Sequence, residues 1–210
     1  MKTREDRILE WVKGPNILDV GCTDHIVREN SVYWLHQHLS QKFARVVGID
    51  ISEENLEKMR ALGYKNLYRM DAESFSLEEK FDTIVAGELI EHLSNPGLFL
   101  NQARSHLNPG GRLIVTTPYV FSLLYVLYSN LKFPKTCENP EHTNWLCIET
   151  MRRLSKRHGF HELYSDLVMD YRLDNPSWKY LFFAQTVNLF QFVIPKRLRN
   201  NVMLFVLEAS

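Results

Sequence analysis

Two carboxylates and a glycine carry the first chemical signal in this chain. Asp19 and Gly21 fall in Ile17-Leu-Asp-Val-Gly-Cys-Thr-Asp-His25, and Asp50 closes a second apolar run, Val46-Val-Gly-Ile-Asp50. Glycine lets the chain turn closely past a ligand, and a carboxylate at a strand end can accept two ribose hydroxyls. The ordered pair is how an α/β sheet holds a nucleoside-containing cofactor, which points to a small-molecule transferase or an oxidoreductase. The bland alternative makes Gly21 a turn residue and Asp50 a loop or helix-cap residue. A nicotinamide oxidoreductase fits poorly, because Gly21-Cys-Thr-Asp-His25 lacks a three-glycine phosphate turn.

The elements that must position these residues follow from the apolar pattern. An opening helix runs through about Val12 and ends at Gly14-Pro15. Asn16–Val20 suits a buried parallel strand. A polar helix over about Ile26–Gln41 leads to a strand at Ala44–Ile49, and Ser52 can cap the next helix, which turns Leu56 and Met59 inward. Short strands follow at about Asn66–Met70, ending at Asp71, and at Phe81–Ala86, beside Gly87. After Asn95-Pro-Gly comes an amphipathic helix to Leu107, then a turn at Asn108-Pro-Gly-Gly111 and a strand at Arg112–Thr117. This alternation predicts one α/β domain over 1–210, with a mostly parallel sheet flanked by helices. The regularity breaks at Pro118, where an aromatic-rich insertion over 118–145 is placed to build an acceptor pocket. A helix at Cys147–His158, a strand at about His161–Met169, a helical stretch around Trp178–Val193 and a closing strand at Val202–Glu208, antiparallel to its neighbour, complete the chain.

Composition excludes several classes. Lys plus Arg equal Asp plus Glu at 25 each, so no global field attracts nucleic acid. Three cysteines, Cys22, Cys137 and Cys147, are too few and too scattered for a disulfide framework and fit a reducing, cytoplasmic setting. The charged start lacks the apolar core of a signal peptide, and the apolar runs are too short to span a bilayer.

Taken together, Leu18-Asp-Val-Gly-Cys22, Val47-Gly-Ile-Asp50, Asp71-Ala-Glu73, Phe81-Asp-Thr-Ile-Val85, Glu91-His-Leu93 and Leu107-Asn-Pro-Gly-Gly-Arg-Leu113 resemble the class I S-adenosyl-L-methionine-dependent methyltransferases. Within that class the similarity is to the ubiquinone-biosynthesis O-methyltransferase group, and it extends from about Ile17 to Gly159. The resemblance implies a Rossmann-like seven-stranded sheet of order 3-2-1-4-5-7-6 and S-adenosyl-L-methionine as cofactor. It places the methionine part against the glycine turn, the ribose on Asp50, and adenine between Asp71 and Ala72. The cofactor contacts it implies are Asp19, Gly21, Thr23, His25, Asp50, Ile51, Asp71, Ala72 and Glu88. One departure stands out: Thr23 and His25 occupy positions where the family has glycines, which reshapes the pocket or offers new hydrogen-bonding groups.

Methyl transfer from a sulfonium is an in-line displacement, and an oxygen nucleophile must also lose its proton. His92 and His142 are the candidate bases, because imidazole titrates near neutral pH. Glu91, Tyr119, His142 and Trp145 are the candidate acceptor contacts. Glu138, Glu141, His142 and His92 show no short ligand pattern, and no metal is expected. The leading reading is therefore O-methylation of a small molecule. A nucleic-acid or protein methyltransferase and a non-catalytic interaction domain are the alternatives. Arg152, Arg153, Lys156 and Arg157 could serve a nucleic acid but more simply solvate a helix face, so no nucleic-acid partner is expected. Tyr119, Phe121, Tyr125 and Tyr128, with Trp178, Leu181, Phe182, Phe183, Val187, Phe190 and Val193, are read as a shared cap over the acceptor. A peripheral membrane contact beside Lys196, Arg197 and Arg199, or a homodimer, is the rival use of that surface.

Overall fold

The computed structural model describes residues 2–23, 34–131, 139–170, 182, 185–187, 189–190 and 192–209. Seven strands form one sheet: β1 (Asn16–Val20), β2 (Arg45–Asp50), β3 (Leu67–Arg69), β4 (Phe81–Gly87), β5 (Leu107–Pro118), β6 (Phe160–Val168) and β7 (Val202–Ala209). Their order is β3-β2-β1-β4-β5-β7-β6, as the sequence resemblance implies. The first five strands pair in parallel, while β7 runs antiparallel to both β5 and β6. The helices are α1 (Arg4–Leu9), α2 (Leu35–Lys42), α3 (Glu53–Ala61), α4 (Pro96–His106), α5 (Leu123–Leu131), α6 (Ile148–Arg157) and α7 (Lys196–Arg199).

Period-two alternation decides which side chains meet which helices. Leu18 and Val20 of β1 join Val47 and Ile49 of β2 in one buried cluster. Ile17 and Val46 point the other way, into a cluster with Leu35 and Leu39 of α2. Asp19 and Gly48, direct partners across β1 and β2, therefore share the α2 face. Local signals place the helix starts: the Ser52 hydroxyl accepts from Asn55 N at 3.4 Å at the head of α3, and the Asn95 side chain accepts from Gly97 N and Leu98 N before α4.

One boundary differs from the sequence expectation for a physical reason. Asn108-Pro-Gly-Gly111 is a bulge inside one long strand rather than a separating turn. Pairing with β4 runs Phe81 to Leu107 and resumes at Thr83 to Arg112, with Gly110 in the left-handed region at φ +68°. The helix read over Ile26–Gln41 is described only from Leu35, since residues 24–33 lie outside the described set.

Candidate functional site

The ends of β1, β2 and β4 open on a cavity of about 840 Å³. Gly21, Asp50, Ile51, Leu89 and His92 are shared between its wall and that of a smaller cavity of about 250 Å³. Gly21 sits at φ +74°, its N–H donates to Ile49 O at 2.9 Å, and a Cβ there would stand 3.0 Å from Leu89 Cδ1. A side chain is thus opposed twice, by backbone conformation and by Leu89.

Asp50 is held by its own neighbours. Its Oδ2 accepts from Thr23 N at 3.1 Å and Thr23 Oγ1 at 2.8 Å, and its Oδ1 accepts from Ser52 N at 2.9 Å. The Thr23 hydroxyl thus orients Asp50. Asp71 and Ala72 line the smaller cavity with Val20, Ile49 and Met70, and Asp71 Oδ1 accepts from Glu73 N at 2.8 Å. Asp19, Thr23 and Glu88 line the larger cavity, and Ile51 lines both. Glu88 holds a left-handed backbone at φ +54°, fixed by its N–H donating to the Thr116 carbonyl and hydroxyl. His25 lies outside the described residues.

The acceptor side is assembled by a staple between two distant loops. The Glu91 carbonyl accepts from Thr143 N at 2.8 Å and Asn144 N at 3.0 Å, while Thr143 Oγ1 and Asn144 Nδ2 donate to the Leu93 carbonyl. This brings His142 edge-on to His92, with ring centroids 4.8 Å apart. Burial and the neighbouring His92 pull the His142 imidazole down to about 4 from its ordinary 6.5. Glu91 is 2 % exposed, its carboxylate accepts from Thr117 Oγ1, and burial with Glu88 nearby pushes its titration well up. One ligand-capable atom from each of Glu91, His92 and His142 lies within 4.8 Å of the others. Glu138 is outside the described residues, and Glu141 Oε2 stands 3.9 Å from His92 Nδ1.

Tyr119 and Trp145 sit behind this wall. Neither lines these two cavities: Tyr119 is packed in the main buried cluster, and Trp145 makes edge contacts with Tyr125 and His142, which line the larger cavity. Among the residues on the wall of the larger cavity that sequence reasoning did not single out are Arg4, Trp34 and His36. Arg4 reaches from α1 to within 3.5 Å of Glu88 Oε1. Nothing local in the sequence marks it for the cavity: Glu5 is its chain neighbour, while Glu88 and Asp170 are brought by the fold.

Residues 5–165 match the methyltransferase domain family, and the chain belongs to that family. The fold is that of the class I S-adenosyl-L-methionine-dependent methyltransferases, and family and fold together indicate S-adenosyl-L-methionine as the cofactor. The chain is 29% identical over 119 residues to the ubiquinone biosynthesis O-methyltransferase of Bradyrhizobium diazoefficiens, covering 54% of this chain and 44% of that enzyme. It is 33% identical over 126 residues to the mitochondrial ubiquinone biosynthesis O-methyltransferase of Rattus norvegicus, covering 55% and 34%. The matched stretch spans under half the length of these two curated relatives. Among solved structures, an S-adenosylmethionine-dependent methyltransferase from Archaeoglobus fulgidus superposes with a TM-score of 0.67 at 18% identity, covering 98% of this chain and 91% of that one.

Proposed function

We propose that this chain moves a methyl group from S-adenosyl-L-methionine to a hydroxyl of a small-molecule acceptor. The cofactor supplies an electrophilic methyl carbon on a sulfonium. The protein's share is to align the acceptor oxygen with that carbon and sulfur, and to take the hydroxyl proton. Gly21 gives the methionine part room, Asp50 accepts the ribose hydroxyls, and Asp71 with Ala72 borders adenine. The observation that carries the acceptor reading is the His92–His142 pair on the wall beside those residues. His92 is the general base. His142, neutral at pH 7 and too weakly basic to drive the transfer, accepts a hydrogen bond from the acceptor. The chain between Pro118 and Trp145, through Tyr125 and His142, forms the acceptor side.

A second mechanism is favoured by the proximity of Glu91, His92 and His142. A neutral imidazole is a good ligand, and a divalent cation held there would lower the acceptor hydroxyl's pKa in place of a base. Methyl-labelled cofactor offered to phenolic and alcoholic acceptors tests the chemistry. The expected product is an alkali-stable labelled methyl ether; label appearing only on amines or nucleic acid contradicts it.

The same reading gives α5 and the segment before β7 a surface role. α5 packs against α7, and Val187 is buried, whereas Leu189, Phe192 and Val193 are 76%, 93% and 78% exposed and leave an apolar surface open. Trp178, Leu181, Phe183 and the Tyr128 side chain lie outside the described set. From Asn175 through Leu207 the sequence has no Asp or Glu, while Lys196, Arg197 and Arg199 follow the apolar residues. Asp166 pairs with Lys196, and Glu149 lies near Arg197. The surface is read as a peripheral contact with anionic lipid, reached from a cytoplasmic location; no helix among the described residues is long and apolar enough to cross a membrane. Vesicles containing phosphatidylglycerol should float the chain, and Phe192→Ser with Val193→Ser should abolish this. A patch-dependent dimer that ignores vesicles would instead assign the face to a second copy.

A further inference from the structure

Beneath the glycine turn, Asp19 of the motif is paired with His36, a residue that neither the motif nor the family likeness accounts for. His36 Nδ1 stands 2.9 Å from Asp19 Oδ2, with the two side chains 1% and 2% exposed. Both line the larger cavity beside Gly21. A carboxylate anion can only accept, so toward that form of Asp19 the imidazole would act through Nδ1–H as the donor. A buried carboxylate is costly unless paired in this way.

The residue on the far side of Gly21 is held from the same helix turn. Trp34, which caps α2, donates its indole N–H to the Cys22 carbonyl at 3.0 Å. Tyr64 closes the packing, with ring centroids 4.9 Å from Trp34 and 5.6 Å from His36. Space for the imidazole comes from Gly48, opposite Asp19 in the sheet, where a Cβ would stand 2.9 Å from His36 Cε1 and 2.8 Å from Cys22 Sγ. The start of α2 therefore grips Asp19 and Cys22, one on each side of the turn that carries the cofactor's amino-acid end.

We propose that His36 is a positioning residue for cofactor binding: it fixes the Asp19 carboxylate to receive the α-ammonium of the cofactor's methionine part. Asp19 stands beside the turn that this part passes, and a carboxylate oriented by an imidazole is matched in charge to an ammonium. Cys22 contributes nothing as a nucleophile, since burial and the nearby Asp19 and Asp50 push its thiol well up. The proposal rests on the cofactor assignment, and its test separates the two.

Calorimetry on the full chain would compare S-adenosyl-L-homocysteine with 5′-methylthioadenosine, which keeps the nucleoside and lacks the amino-acid end. His36→Leu should weaken S-adenosyl-L-homocysteine by roughly tenfold or more while leaving 5′-methylthioadenosine within about twofold. His36→Asn, which keeps a donor near the Nδ1 position, should recover most of the loss. Asp19→Asn should show the same selective loss, and adding His36→Leu to it should cost little more. Should His36→Leu fail to fold, the Asn variants carry the comparison: Asp19→Asn must be selective and His36→Asn near wild type. Equal weakening of both ligands by the His36 or Asp19 variants would make the couple a structural brace and overturn the proposal, as would unchanged binding of both. A wild-type chain that binds neither ligand would remove the cofactor assignment itself, and the proposal with it.

Discussion

His92→Ala is expected to slow single-turnover methyl transfer by roughly 10²- to 10⁴-fold, the range for loss of a positioned general base. His142→Ala should cost less, because an imidazole held down to about 4 orients a hydroxyl more readily than it takes its proton. Binding of S-adenosyl-L-homocysteine should change little in either variant, which assigns the loss to the chemical step. Rapid-quench measurement with saturating labelled cofactor reads that step directly. Chelation decides between the two mechanisms: a wild-type rate indifferent to EDTA fits the histidine base. A rate lost to EDTA and restored by one divalent cation would move the role to a metal on Glu91, His92 and His142. Unchanged transfer in both histidine variants would leave positioning as the whole of the protein's contribution.

Gly21→Val carries the other large effect. The left-handed backbone at φ +74° costs a branched residue about 1–2 kcal/mol, and its Cβ would meet Leu89 Cδ1 at 3.0 Å. The added side chain also projects where two cavities meet, so cofactor binding should be lost while the fold persists at a lower melting temperature. Circular dichroism with calorimetry separates the two. Native-like affinity in a folded Gly21→Val chain would place the cofactor elsewhere.

The parts of this molecule that were readable in the sequence are those governed by local pattern. Continuous apolar runs, buried on both faces, mark β1, β2 and β4, and Ser52 and Asn95 mark helix starts. Gly21, Asp50 and Asp71 were legible because strand ends in this fold converge on one crevice. What the sequence withheld depends on contacts between distant segments. His36 reads as one more polar residue on a helix until Gly48, on the next strand, is seen to make room for it. Arg4 gains its meaning from Glu88, and His142 from the Thr143–Glu91 staple. Asn108-Pro-Gly-Gly111 carries every turn signal, yet strand pairing on both sides absorbs it as a bulge. Thr23 could be weighed only as a replacement for glycine, and its bond to Asp50 shows that the changed motif still orients this carboxylate.

The central claim is that Gly21 and Asp50 define one S-adenosyl-L-methionine site, and titration calorimetry with S-adenosyl-L-homocysteine tests it most directly. Wild-type chain should bind one equivalent, and Asp50→Ala should bind more weakly by about 1–3 kcal/mol, the cost of removing the carboxylate that accepts the ribose hydroxyls. Absence of binding to the wild-type chain, or equal binding by wild type and Asp50→Ala, would contradict the account.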